Sequence, residues 1–251
     1  ILEDKEEAAL KADLEQIQQE CRKEHWLFSI NHPFLYIWKW LYGDLRLDGV
    51  HCLEIINDPT YEADPEAKAG KANQRAVALA DLLWADGHRI CAIGGSDSHN
   101  TLEERYPGAT EPSVPGDPAT FVYMEDLSAE HLLEGVRSCN CYVTRHCRIE
   151  TGLLFGGQLP EDKEELPYRI CLRGQKEKPE IFYLHNGKRV DCRVTGREDA
   201  WEVAGTVRLT EEAYQWIRFG AEAKDGGFLF YGNAITRGTG KQKLRTFGKH
   251  L

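Results

Sequence analysis

The sequence predicts an α/β fold over residues 1–150, followed by an antiparallel β-sandwich over residues 151–251. Three observations point that way. In the first part, short strands that are apolar throughout alternate with helical stretches, which is the rhythm of a parallel sheet or barrel. In the second part, strand-like runs succeed one another with no helical pattern between them. Between the two, TGLLFGGQLPEDKEELP gathers glycine, proline and acidic residues and reads as a boundary.

Residues 2–24 read as an amphipathic helix, because Leu10, Leu14, Ile17 and Cys21 recur at helical spacing. Trp26 to Ile30 is a short apolar strand closed by Asn31-His32-Pro33. Trp38, Trp40 and Leu41 read as a helix packed on the sheet or as a site wall. Val50 to Ile56 is a second strand, closed by Asn57-Asp58-Pro59. A helix from about Glu66 to Ala85 follows, with Ala76, Leu79, Ala80, Leu83 and Trp84 on one face. Arg89 to Ile93 is a third strand, closed by Gly94-Gly95. A long loop rich in proline and glycine, from Asn100 to Pro118, leads to the strand FVYME. Ser128 then caps a helix, and CYVTRHCRIE is the next strand. In the second part, Asn186-Gly187 between apolar runs marks a hairpin, with His185 as a hairpin residue, and Asp225-Gly226-Gly227 marks a turn. The tail from Arg237 is basic and rich in small residues.

Composition narrows the function. The 251 residues carry 31 basic and 41 acidic side chains, a formal net charge of −10. Such a chain is not expected to bind nucleic acid, whose phosphates attract basic surfaces. No apolar run approaches the ~20 residues of a membrane span, so no membrane partner is expected. The eight cysteines form no Cys-x-x-Cys pair, and several lie in apolar runs, where cysteine acts as a small hydrophobe. A reducing, cytoplasmic setting follows. The chain starts at Ile1 and its only methionine is Met124, which predicts a processed product or a piece of a longer protein.

The chemistry sits at the strand ends. Asn31-His32, Asn57-Asp58 and Ser96-Asp97-Ser98-His99 each follow an apolar strand, and parallel α/β folds work at the carboxyl ends of their strands. Asp97 and His99 are two apart, so in an extended segment both side chains point one way, and His32 is a candidate third donor. Oxygen and nitrogen donors suit zinc, manganese or iron, and an open position makes bound water a nucleophile. The competing reading is a loop in which Asp97 caps a turn, His99 is solvated and His32 is a packed turn residue. Glu54 either faces the site or pairs with a neighbouring base. Arg105 and Arg145 either clamp an anionic substrate group or lie in solvent.

SINHPF, HCLEIIN and IGGSDSHN, in that order, together with ALADLLWADGHRI, CYVTRHCRIE and GNAIT, resemble the PHP (polymerase and histidinol phosphatase) superfamily of metal-dependent hydrolases. The nearer likeness is to its CehA/McbA branch. The resemblance implies the C-terminal part of a distorted (β/α)7 barrel followed by a β-sandwich. It implies His32, Asp97 and His99 as metal ligands, Asn57 as a residue lining the site, and Asn31 and Ser96 as supports. Glu54 and Ser98 join that supporting set. It further implies more than one divalent ion (Zn, Mn or Fe) and hydrolysis by metal-bound hydroxide, of a phosphoester or of a carbamate or amide.

The family opens on His-x-His, which is absent from these 251 residues. The resemblance therefore implies that further ligands come from a front segment, carried by a separate N-terminal fragment. The other expectation is a truncated, inactive relative that works as a binding or interaction protein.

Overall fold

The computed structural model describes residues 7–35, 38–61 and 72–250. The predicted helix over 2–24 is α1, Glu7–Lys23; residues 2–6 lie outside the described residues. Leu10, Gln18 and Cys21 are its buried side chains, while Ile17 faces out. Gln18 takes the inward place because its amide donates to the Arg46 carbonyl (3.0 Å), which satisfies a buried polar group.

Three strands then form one parallel sheet in the order β1 (Ser29–Ile30), β2 (Cys52–Asn57) and β3 (Cys91–Gly95). All six side chains of β2 are buried, as a central parallel strand requires. The helix α2, Ala72–Ala85, returns the chain from β2 to β3. It buries the Ala76, Leu79, Ala80, Leu83 and Trp84 face read from the sequence. Residues 66–71 of that expected helix lie outside the described residues.

Further along come β4 (Ala119–Val122), α3 (Ala129–Arg137), β5 (Cys141–Thr144), β6 (Arg148–Thr151) and β7 (Gln158–Leu159). Then follow β8 (Glu165–Arg173), β9 (Glu180–His185), β10 (Lys188–Asp191), β11 (Thr195–Arg197) and β12 (Ala200–Arg208). The last strands are β13 (Gln215–Glu222), β14 (Phe228–Gly232) and β15 (Ile235–Arg237). Ser128 caps α3, accepting from the His131 N–H. Asn186 and Gly187, both at positive φ, turn β9 into β10.

Two more sheets hold these strands. One has the path β10-β9-β13-β14-β5-β4, with β15 and β7 joined alongside β13; the other has the order β11-β12-β8-β6. Their facing sides share a core that includes Phe155, Ile170, Leu172, Ile217, Phe219 and Phe230, with Phe155 and Phe230 ring centroids 5.2 Å apart. The opposite side of the larger sheet meets the parallel layer, where Val143, Trp216 and Phe228 join Ile30, Leu53, Leu83 and Trp84 in a second core. On that side the Arg218 guanidinium makes a two-pronged pair with Asp81 of α2 (2.7 and 2.8 Å) and lies 4.6 Å from the Tyr231 ring centre.

The expected α/β class and (β/α)7 barrel are therefore corrected: among the described residues strand outweighs helix, and the parallel sheet has three strands. The cause is visible at the outer edge of β3. Among the described residues no fourth parallel strand pairs there. The Asn233 amide instead donates to the Ala92 carbonyl and accepts from its N–H (2.9 and 2.7 Å). Thr120 Oγ accepts from the Gly94 N–H and donates to its carbonyl (2.9 and 2.7 Å). Side chains of the antiparallel sheet thus satisfy the backbone groups that another barrel strand would have used. In addition, β4 and β5, expected to extend the α/β rhythm, pair antiparallel within the larger sheet. Among the described residues no helix is long and apolar enough to cross a membrane.

Candidate functional site

The carboxyl ends of β1, β2 and β3 share a backbone peculiarity. Each strand is followed within two residues by a non-glycine residue at positive φ: His32 (33°), Asp58 (24°) and Asp97 (48°). Such conformations are strained and collect at functional sites. All three residues carry metal-ligand or acid–base side chains, so the sheet brings together at one pole the residues that the strand-end reading singled out.

Glu54 of β2 is the centre of that pole. It is only 7% exposed. Its Oε2 accepts from the His32 backbone N–H (2.6 Å) and from the Asn57 amide (3.3 Å); among the described residues no lysine or arginine pairs with it. Burial pushes its carboxyl up, and the charge of Asp97 adds to this, against the hydrogen bonds from His32 and Asn57. Asp58 is also buried and also pushed up, first by burial and further by Asp97. Thr60 opposes that shift, donating to Asp58 Oδ1 through both its N–H and its hydroxyl. A cavity of about 10 Å³ lies against Glu54, His32, Asn57 and Asp58, which is room for one water molecule.

Asn57 is buried, and its backbone is clamped on both sides by Asn73 of α2 (2.9 Å each). Ser96 and Ser98 anchor the loop after β3, since the Ser113 hydroxyl donates to the Ser96 carbonyl (2.6 Å) and the Ser98 hydroxyl to the Ser113 carbonyl (2.8 Å). Asn31 is exposed and accepts from Ser29 (2.7 Å). Arg145 lies in an ion cluster with Glu111 and Asp117 (3.3 Å to the latter). Arg105 is exposed and donates to the Thr110 carbonyl (3.3 Å).

The three expected metal ligands do not form a cage. His99 is 72% exposed, and its Nδ1 lies 2.7 Å from the Asp97 carbonyl and 3.8 Å from the Asp97 carboxylate. The His32 Nδ1 lies 3.2 Å from the Trp38 carbonyl. Among the described residues no group of three or more His, Cys, Asp or Glu side chains is placed to hold a metal ion. As they stand, the donors do not fit the implied ion.

Asp58 and Asn73 are the residues that the sequence reading passed over in assigning roles. The signal for Asp58 was present, as a carboxylate after an apolar strand and before Pro59. Nothing in the sequence marks Asn73, whose role depends on where α2 lies against β2. No family model matches the chain, and no curated protein matches it.

Proposed function

We propose that the strand-end pole of the parallel sheet is a hydrolytic site for small phosphoesters, with Glu54 as its acid–base group. One observation carries the reading: a nearly fully buried carboxylate, fixed by two donors, borders a one-water cavity at strand ends whose three closing residues are all held at positive φ. A carboxyl lifted by burial takes and returns a proton closer to neutral pH than a free one does. The Asn57 amide and the His32 N–H aim it, while Asn73 fixes Asn57 from the helix side. The substrate class rests on the resemblance to PHP-type hydrolases; carbamates and amides are the alternative.

A divalent ion, once bound, would polarise the scissile group. Asp97, His99 and His32 are the side chains that would hold it, and as placed they form no cage. The test is hydrolysis of para-nitrophenyl phosphate with added Mn or Zn, alongside thermal stability with and without the ion. Turnover that Glu54→Gln abolishes supports the reading. No turnover, together with no ion-dependent stabilisation, overturns it in favour of a non-catalytic binding protein. The uncaged donors are the observation that favours this second reading.

A further inference from the structure

At the opposite, amino-terminal end of the parallel strands lies a concentration of cysteines. Cys52 opens β2, Cys91 opens β3, Cys141 opens β5, and Cys139 precedes it; all four are buried and form a cluster of their own. Within it the Cys91 and Cys141 sulfurs are 3.2 Å apart. A disulfide needs ~2.05 Å, so an approach of about 1 Å closes the bond. Cys141 is held in place, because its sulfur lies 3.1 Å from the Asn233 amide nitrogen that also binds its carbonyl.

We infer that Cys91 and Cys141 are a disulfide-forming pair that answers to a small neutral oxidant such as hydrogen peroxide. Cys141, as thiolate, attacks a peroxide oxygen, and Cys91, whose thiol the neighbouring Cys139, Cys141 and Cys52 and burial push up, is the partner thiol. The O–O bond breaks, a sulfenic acid forms, and the departing hydroxide takes a proton to become water. The partner thiol then gives its sulfur electrons to the sulfenic sulfur and loses its proton. The S–S bond forms, and the sulfenic oxygen leaves as a second water. Two thiols are oxidised and one peroxide is reduced to two waters.

The bond lies between sheets. It ties β3, which carries Gly94, Gly95 and the loop to Asp97 and His99, to β5 of the antiparallel sheet. It closes a loop between residues 50 positions apart, which contains β4, α3 and the segment 100–118. Oxidation thus locks the parallel layer to the sandwich behind the strand-end pole. This inference does not depend on the hydrolytic reading.

The test is peptide mapping of the native protein after treatment with hydrogen peroxide, under non-reducing conditions with free thiols blocked. The expected product is a Cys91–Cys141 cross-linked peptide, with the loss of two hydrogens from the intact mass, reversed by dithiothreitol. A variant carrying Cys147→Ser, Cys171→Ser and Cys192→Ser is expected to give the same link, and Cys141→Ser none. Three results overturn the inference: no cross-link, a link of Cys91 to Cys139 or Cys52 instead, or links confined to Cys147, Cys171 and Cys192. A soft metal ion found on the cluster by elemental analysis overturns it as well.

Discussion

Glu54 shows at the scale of one side chain why a working site and a stable fold pull apart. Its folded-state carboxyl is raised above the ordinary value near 4.5. The contribution of such a group to stability is full below that ordinary value and is lost as pH rises through the folded one. Ionised Glu54 therefore costs stability at neutral pH. Glu54→Gln keeps an acceptor for the His32 and Asn57 donors and removes the charge. It is expected to raise the melting temperature at pH 7–8, with the gain shrinking as pH falls towards 4, and to cut turnover by roughly 10²–10⁴-fold. Melting curves and initial rates on one preparation check both halves; a variant no more stable than the parent at pH 8 refutes the first. His51 runs in the other sense. Burial, aided by the charges of Arg137 and Arg22, holds its imidazole below 6.5, and its Nδ1 accepts from the Phe28 N–H (3.1 Å). A histidine so depressed stabilises fully above 6.5, and the contribution is lost as pH falls through the folded value. His51→Gln is expected to flatten the pH dependence of urea unfolding between pH 7 and 5. An unchanged slope counts against that role. The first of these residues was legible as a site candidate because it lies on an apolar strand that ends in Asn57-Asp58; the roles of both depend on long-range partners that spacing does not reveal.

Among the elements, those defined by their own sequence were legible. Ser128 before an amphipathic stretch gave a capped helix, and Asn186-Gly187 gave a hairpin, because cap and turn chemistry act over a few residues. The layer to which each strand belongs was not. FVYME, the helix after Ser128 and CYVT have the order of a crossover unit, yet β4 and β5 run antiparallel. Gly135 of α3 packs directly on β4, and a Cβ there would meet Val122 and Tyr123. The helix therefore sits on its own strand and does not carry the chain to a parallel neighbour. The partner of Asp81 on α2 was equally hidden, since its ion pair with Arg218 spans 137 positions of sequence. Arg218 is 3% exposed and Asp81 21%. Removing one partner strands a buried charge, so Asp81→Asn is expected to cost about 3–5 kcal/mol, whereas Asp81→Leu with Arg218→Met recovers most of that loss. Equilibrium urea unfolding of the single and double variants decides; equal losses in both would deny that the stranded charge is the cause.

For the whole molecule, the governing fact is that one sheet serves two cores. Val143, Trp216 and Phe228 face the parallel layer. Tyr142, Ile217, Phe219 and Phe230 face the second antiparallel sheet. Neighbouring residues, Tyr142 and Val143 on β5, Trp216 and Ile217 on β13, and Phe230 and Tyr231 on β14, thus feed both cores, as side chains alternate across a strand. The boundary expected at residue 150 crosses this arrangement. β5 lies before it and pairs with β14, joining Thr144 to Phe230, Val143 to Tyr231 and Tyr142 to Gly232. Tyr142 also meets Phe155 and Phe230 edge to face, with ring centroids 5.6 and 5.8 Å apart. A fragment of residues 151–251 would expose the β5-facing edge of β14 and leave a Tyr142-sized gap beside Phe155. It would also leave Arg218 without Asp81 and Asn233 without Ala92. Loss of one large core aromatic costs about 3–5 kcal/mol, and each stranded buried polar group about 1–3 kcal/mol. Together these approach the whole stability of an ordinary domain, about 5–15 kcal/mol. The fragment is therefore expected to show no cooperative thermal transition, while the full chain unfolds in a single one. Near-UV circular dichroism and calorimetry of both species test this. A fragment that melts sharply on its own would show that the sandwich is independent and that the shared sheet is only a contact surface.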